Sequence, residues 1–220
     1  MDGRDKELIY VGDPMCSWCY GFAPTKRKLE EQCEGRAVTT LVVGGLHTDW
    51  TEPQDDERKR FLDDHWREIG ERSGQPFKFD ILNRDDFVYN TEAACRAAVT
   101  AREMAGNKTA LNFFTHLQGA FYAENRDVTQ QDVLIDLAGE FGLDKEDFAT
   151  RSPSDEMRQK TQMDFYFAQR LGVSGFPTVV VNDKNGFAYL TVGYQEYENL
   201  EPVIEAWLTG QLAHQQSAAE

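Results

Sequence analysis

Apolar residues along this chain follow two periods, and the points where the period changes divide it into three stretches. Leu8-Ile9-Tyr10-Val11 is an unbroken apolar run, which predicts a strand over residues 7–11 buried on both faces. Residues 17–34 are charged and helix-favouring, with Pro24 inside, where a lost hydrogen bond predicts a kink. Cys33 falls near the end of this helix, just before Gly35. Ala37-Val38-Thr39-Thr40-Leu41-Val42-Val43 is β-branched and stops at Gly44-Gly45, a second buried strand. Strand, helix and strand joined by short links predict a right-handed parallel unit.

Beyond Gly45 the period turns helical. Leu62, Trp66 and Ile69 form one stripe, broken at Ser73-Gly74-Gln75-Pro76. Thr91 is placed to cap a helix holding Ala94, Ala97, Ala98 and Ala101 and ending at Gly106-Asn107. Leu111, Phe114, Leu117 and Phe121 mark a further helix and read as core. Thr129-Gln130-Gln131-Asp132 resembles a capping box before Val133, Leu137 and Phe141, and Asp144 and Ser154 are candidate caps of two more helices. The acidic clusters Asp55-Asp56-Glu57 and Asp85-Asp86 read as solvated helix starts.

Strand signal returns after Leu171-Gly172. Residues 178–182 and 187–192 are β-runs joined by Asp183-Lys184-Asn185-Gly186, whose Asn-Gly pair suits a tight hairpin. A last helix, roughly Tyr197 to Leu208, would bury part of the set Leu200, Val203, Ile204 and Trp207, and the tail from Ala213 to Glu220 reads as frayed. The expected architecture is α/β. A discontinuous domain, residues 1–50 and 172–215, carries an all-helical insertion over 51–171.

Composition narrows the function. At 220 residues the chain is long enough to bury a sizeable core. Its net charge of −15 would repel nucleic acid and anionic membrane surfaces, so neither is an expected partner. No apolar run approaches the roughly 18 residues of a membrane span. The amino terminus enters the first strand with no basic and apolar leader, which predicts a cytoplasmic protein.

Chemistry concentrates at Pro14-Met15-Cys16-Ser17-Trp18-Cys19, where the first strand hands over to the first helix. A CxxC is half of a zinc site, a structural bridge or a redox pair. A zinc site lacks a second CxxC or a His-x3-5-His, and a bridge this short restrains the unfolded chain little. In a cytoplasmic setting, where thiols are kept reduced, the redox reading leads. Unpaired N–H groups and the positive end of the helix dipole favour a thiolate, and such cysteines have pKa values lowered from ~8.5 to between ~3.5 and ~7.5. Cys16 is thus the expected exposed nucleophile, with Cys19 one turn behind to resolve a mixed disulfide. Trp18 is hard to bury between two cysteines, and with Met15 and Phe176 it is expected to form an apolar lip. Cys33 and Cys95 read as packing rather than a second redox pair. His47, His65, His116 and His214 have no partner at catalytic spacing and read as surface or cap residues.

Ahead of the returning strand stands Val173-Ser174-Gly175-Phe176-Pro177-Thr178. A cis Phe176–Pro177 bond would bend the chain and free the Phe176 backbone to pair with an extended substrate. Cys16-Ser17-Trp18-Cys19, Pro24 and Gly175-Phe176-Pro177-Thr178, followed by hairpin and helix, resemble the thioredoxin fold. The helical insertion between the second strand and the proline loop resembles the DsbA family, and Asp13-Pro14-Met15-Cys16-Ser17-Trp18-Cys19 its leaderless, FrnE-like branch.

That resemblance implies thiol-disulfide oxidoreductase or isomerase activity on thiol- or disulfide-containing proteins or peptides, Cys16 attacking and Cys19 resolving. It implies support from Ser17, Trp18 and a cis Pro177 opposite the disulfide, and substrate contacts at Met15, Phe176 and Thr178. No metal or cofactor is expected beyond the redox-active disulfide, with glutathione a candidate co-substrate and partner. Two features depart from the family. The slot six residues before the first cysteine, where many members hold a buried acid, is Tyr10, so Asp13 substitutes or the role is vacant. Ser17-Trp18 lacks the His of strongly oxidising members, so Cys16 should be less acidic and the disulfide less oxidising than theirs. Two other functions compete. Kappa-class glutathione transferases and hydroxychromene-carboxylate isomerases resemble this architecture but carry Ser where this chain has Cys16. A non-catalytic redox sensor or holdase would use the disulfide state to control partner binding.

Overall fold

The computed structural model describes residues 5–211. The expected frayed tail from Ala213, His214 and the end of the 172–215 segment lie outside the described residues, as do residues 1–4. Strand β1 (Glu7–Gly12) runs parallel to β2 (Val38–Val43) and antiparallel to β3 (Thr178–Asp183), which pairs antiparallel with β4 (Gly186–Val192). The sheet order is β2-β1-β3-β4.

The unbroken apolar run of β1 has its cause in this order, because helices cover both faces of a central strand. Leu8 and Tyr10 enter the main buried cluster, beside the helices that follow β1 and the long helix after β2. Ile9 and Val11 face the other way, onto Val42, Val180 and Ala168. The helices between β2 and β3 share the main cluster with the sheet, through Trp66, Tyr89, Phe121 and Phe148. Among the described residues no helix is long and apolar enough to cross a membrane.

The single helix expected over 17–34 is two: α1 (Ser17–Gly21) and α2 (Ala23–Cys33), parted at Phe22. Pro24 lies in the first turn of α2. Its missing N–H would have had no partner there, so it starts a helix rather than kinking one. Helix α3 (Asp56–Ser73) is capped by Asp55, whose carboxylate accepts from the Arg58 N–H at 2.8 Å. Asp85-Asp86 does not start a helix: it follows a short 3₁₀ turn (Asp80–Asn83), and Asp86 is held bidentately by Arg84.

The two helices expected on either side of Gly106 form one span, α4 (Glu92–Tyr122), with Gly106 non-helical at φ 82°. Thr91 does not cap it. Its hydroxyl accepts from the His47 N–H at 3.2 Å, and Asn90 accepts from Glu92 instead. The capping box at Thr129 also fails, because its hydroxyl donates to Asp127 at 2.5 Å; α5 (Gln131–Phe141) starts without a side-chain cap. Asp144 and Ser154 do cap α6 (Lys145–Arg151) and α7 (Asp155–Arg170). The hairpin turns at Lys184-Asn185, and α8 (Tyr197–Leu208) buries Leu200, Ile204 and Trp207, leaving Val203 exposed.

One ion pair fastens the long helices to the sheet. Arg102 of α4 grips Asp164 of α7 with two nitrogens, at 2.7 and 2.9 Å, and donates to the β2 carbonyl of Leu41 at 2.8 Å. Asp164 in turn accepts from the Val43 N–H at 3.0 Å. Both side chains are largely buried, so removing one partner strands the other charge and costs about 3 kcal/mol. Asp164→Ala is expected to lower unfolding free energy by about that amount in urea denaturation. A loss under about 1 kcal/mol, the range of an exposed pair, would show that this clamp does not hold α4 and α7 to β2.

Candidate functional site

The loop leaving β1 is fixed before either cysteine is reached. Asp13 is fully buried, and its carboxylate accepts from Met15 N at 2.8 Å, Leu46 N at 2.7 Å and the Cys95 thiol at 3.3 Å. Burial pushes the Asp13 carboxyl up, and its bonds from Leu46, Thr91, Met15 and Cys95 work against that rise. The Met15 carbonyl accepts from the hydroxyls of Tyr89 and Tyr122, at 2.6 and 2.5 Å. Cys16 N donates to Asp13 O at 3.0 Å and closes the turn.

Cys16 therefore arrives at the start of α1 on a rigid support. It is not the exposed residue that the motif predicts: it is 6% accessible, and its thiol donates to the Phe176 carbonyl at 3.7 Å. The folded-over proline loop covers it, with a cis Phe176–Pro177 peptide bond. The helix starting there is five residues long, so the extended helix assumed from the sequence does not stand behind this sulfur. Cys19 lies fully buried one turn on. Burial pushes its thiol well up, and the neighbouring Cys16 sulfur adds to the rise.

Cys33 and Cys95 are buried thiols. Burial pushes Cys33 up to about 12, and Cys95 is spent on Asp13. Among the described residues no three His, Cys, Asp or Glu side chains gather as a metal site would require.

Around the sulfurs, Trp18 is half-buried. Its ring lies 5.7 Å from His65 and 5.4 Å from Tyr194, and the Arg72 guanidinium stands 5.5 Å away. Two expected substrate contacts are not at this rim. Met15 is fully buried, because its backbone is clamped from both sides, and the Thr178 side chain turns inward to donate to Gly175 O at 2.8 Å. Ser17 is buried as well. Phe176 does reach the surface and closes one end of a groove of about 380 Å³ that α7 lines with Gln162, Phe165, Tyr166 and Gln169. Gly44 makes that seat, since a Cβ there would stand 2.0 Å from the Phe176 ring.

His47 is half-buried. Its ring stacks on Trp50 at 3.6 Å, and burial, with Arg58 nearby, lowers its pKa to about 4. Tyr89, Tyr122 and Arg72 join the site without a sequence motif. Nothing in their spacing relates them to Cys16; the buried Met15 carbonyl requires a hydrogen-bond donor, and the hydroxyls of Tyr89 and Tyr122 supply two.

A family model described as Thioredoxin matches residues 9–202. Among solved structures, a Nitrosomonas europaea protein provisionally named a protein disulfide isomerase has a TM-score of 0.87 at 32% identity, covering 95% of this chain and 100% of its own. The cytosolic disulfide reductase DsbM of Pseudomonas aeruginosa has a TM-score of 0.76 at 25% identity, over 92% and 98% of the two chains, and also has a structure with GSH. The ClpXP adapter protein SpxH of Bacillus subtilis is 25% identical over 173 residues, which are 79% of this chain and 57% of that protein. The chain thus matches less than two thirds of that relative's length.

Two outcomes test the geometry. His47 should make stability fall as pH drops from about 6.5 toward about 4, because the unfolded chain takes up the proton first. Urea midpoints of His47→Phe should lose that part of the slope, and an unchanged slope would place the titration elsewhere. Gly44→Ala should cost about 1–3 kcal/mol by overpacking Phe176, read from the same midpoints. A neutral result would mean that the proline loop has another seat.

Proposed function

The chain belongs to the thioredoxin family and has the fold of its DsbA-like thiol-disulfide oxidoreductases, and from that premise we propose that it exchanges disulfides through Cys16 and Cys19. One observation carries the reading: the Cys16 thiol faces the Phe176 carbonyl beside a cis Phe176–Pro177 bond, with Cys19 sealed one turn behind. An outer sulfur at a loop edge and an inner sulfur shielded from water are what a two-step exchange requires.

In the reducing direction the Cys16 sulfur attacks a substrate disulfide, forms a mixed disulfide and releases one substrate thiol. Cys19 then attacks the Cys16 sulfur, the mixed bond breaks, and the second thiol leaves with the proton that Cys19 gives up. The substrate gains two electrons and two protons, and the Cys16–Cys19 disulfide carries the oxidation until another thiol reduces it. Pro177 and Phe176 present the loop backbone to the substrate chain, Ser17 and Trp18 hold the spacing, and the groove along α7 accepts the flanking residues. Protein or peptide disulfides and glutathione are the proposed partners, in the cytoplasm. The DsbM structure with GSH supports glutathione as co-substrate, and Cys16 in place of Ser speaks against the transferase and isomerase relatives.

A second reading is partner binding without turnover, as the adapter relative's name suggests for that protein. Exposed Met163 (68%) and Tyr166 (61%) on α7, beside the groove, favour it. Insulin reduction with glutathione as electron donor separates the two. Cys16→Ser should fall to the uncatalysed background, and Cys19→Ala should accumulate a mixed disulfide with glutathione, visible by intact mass. Turnover surviving in Cys16→Ser would remove the exchange reading, and no turnover in the wild type would favour the binding one.

A further inference from the structure

Arg72 stands at the rim of the site with its charge uncommitted. It is exposed in the last turn of α3, where a cation suits the helix dipole. Among the described residues its guanidinium makes no ion pair and no hydrogen bond. Two rings hold it instead, Trp18 at 5.5 Å and Tyr194 at 4.9 Å from the centroids.

Each ring belongs to a different wall of the site, and the two meet at 5.4 Å. Trp18 stands between the cysteines on α1. Tyr194 follows Gly193, whose N–H donates to the Pro177 carbonyl at 2.7 Å, and Pro177 follows the Phe176 whose carbonyl receives the Cys16 thiol. The end of α3 is fastened to α1 as well. Gln75 donates to Tyr20 O at 3.3 Å, the Tyr20 hydroxyl donates to Pro76 O at 3.1 Å, and Gly21 leaves room for Ile69, which an added Cβ would meet at 2.9 Å.

A guanidinium stacked on aromatic faces keeps its edge N–H groups for an acceptor, and its planar fork fits a carboxylate. The nearby carboxylate of Glu196 is engaged by the Tyr194 hydroxyl at 2.7 Å. The groove along α7 is lined by no charged residue, and a net charge of −15 repels anions elsewhere. An anionic thiol thus finds its cation at the Arg72 side of Cys16. Glutathione carries two carboxylates beside its thiol.

We propose that Arg72, steadied by Trp18 and Tyr194, binds a carboxylate of glutathione while the glutathione sulfur attacks Cys16, and so selects glutathione as the reductant of the Cys16–Cys19 disulfide. The glutathione thiolate bonds to the Cys16 sulfur, the bond to Cys19 breaks, and Cys19 leaves as a thiolate that takes up a proton. A second glutathione thiolate attacks the first glutathione sulfur, glutathione disulfide departs, and Cys16 is protonated. Two glutathiones lose two electrons and two protons, and the pair of cysteines gains them. This rests on the exchange reading and names the residue that chooses its electron donor.

The test follows reduction of the oxidised full chain by glutathione and by glutathione diethyl ester, which keeps the thiol and masks both carboxylates. Samples are acid-quenched, alkylated and read by intact mass. In Arg72→Gln the ratio of the two rate constants, glutathione over ester, should fall about fivefold, the most that an ion pair open to water supplies. Arg72→Lys, which keeps the charge without the fork, should recover part of the ratio. Raising the salt should lower the wild-type ratio and leave that of Arg72→Gln in place.

A wild-type ratio in Arg72→Gln would overturn the proposal, and equal slowing with both thiols would reduce Arg72 to a prop of the CxxC turn. With dithiothreitol as donor, insulin reduction that falls as far as the glutathione ratio would place the carboxylate on the protein substrate and overturn the assignment to glutathione. A wild-type disulfide that neither thiol reduces would instead overturn the exchange reading itself.

Discussion

The Met15 peptide is the point on which the site depends. Its N–H is held by Asp13 and its carbonyl by two phenols, Tyr89 and Tyr122, from the helical stretch between β2 and β3. Buried polar groups in the interior must be satisfied, and a carbonyl accepting two hydroxyls is satisfied on both lone pairs. Each such bond is worth about 0.5–1.5 kcal/mol net. Their larger consequence is geometric: the residue before Cys16 has nowhere to go. The stretch between β2 and β3 thus does more than decorate the sheet, since Tyr89, ahead of α4, and Tyr122, at its end, hold the loop carrying both sulfurs.

The two ends of the site are seated by opposite devices. On the CxxC side, acceptors and donors pin the backbone. On the proline side, space does the work: Gly44 leaves room for the Phe176 ring, and that ring turns its carbonyl toward Cys16. Gly44 also donates to Gly12 O at 2.8 Å, so the ends of β1 and β2 and the proline loop are one assembly. The Arg102–Asp164 clamp draws α4 and α7 to β2 just behind it, and α7 lines the groove beside Phe176.

Electrostatics around the sulfurs are local. The chain carries a net charge of −15, yet the groups nearest the CxxC turn are neutral phenols, a buried carboxyl and, at the rim, Arg72 over Trp18 and Tyr194. Cys19 is governed by burial and by its neighbouring sulfur before any distant charge.

Much of this was legible along the chain. An unbroken apolar run marked β1, which helices cover on both faces, and β-branched runs marked β2 and β3; the caps Asp55, Asp144 and Ser154 marked helix starts because the side-chain acceptor is local to the N–H it satisfies. The cysteine pair and the proline loop were likewise readable, since each motif is short and its backbone demands are local. Thr91 and Thr129 looked like caps and are not, because His47 and Asp127 compete for them in space. The burial of Cys16, Met15 and Thr178 and the two phenols on one carbonyl belong to no stretch of sequence. They arise where segments far apart in the chain meet, and packing alone determines which polar group finds a partner.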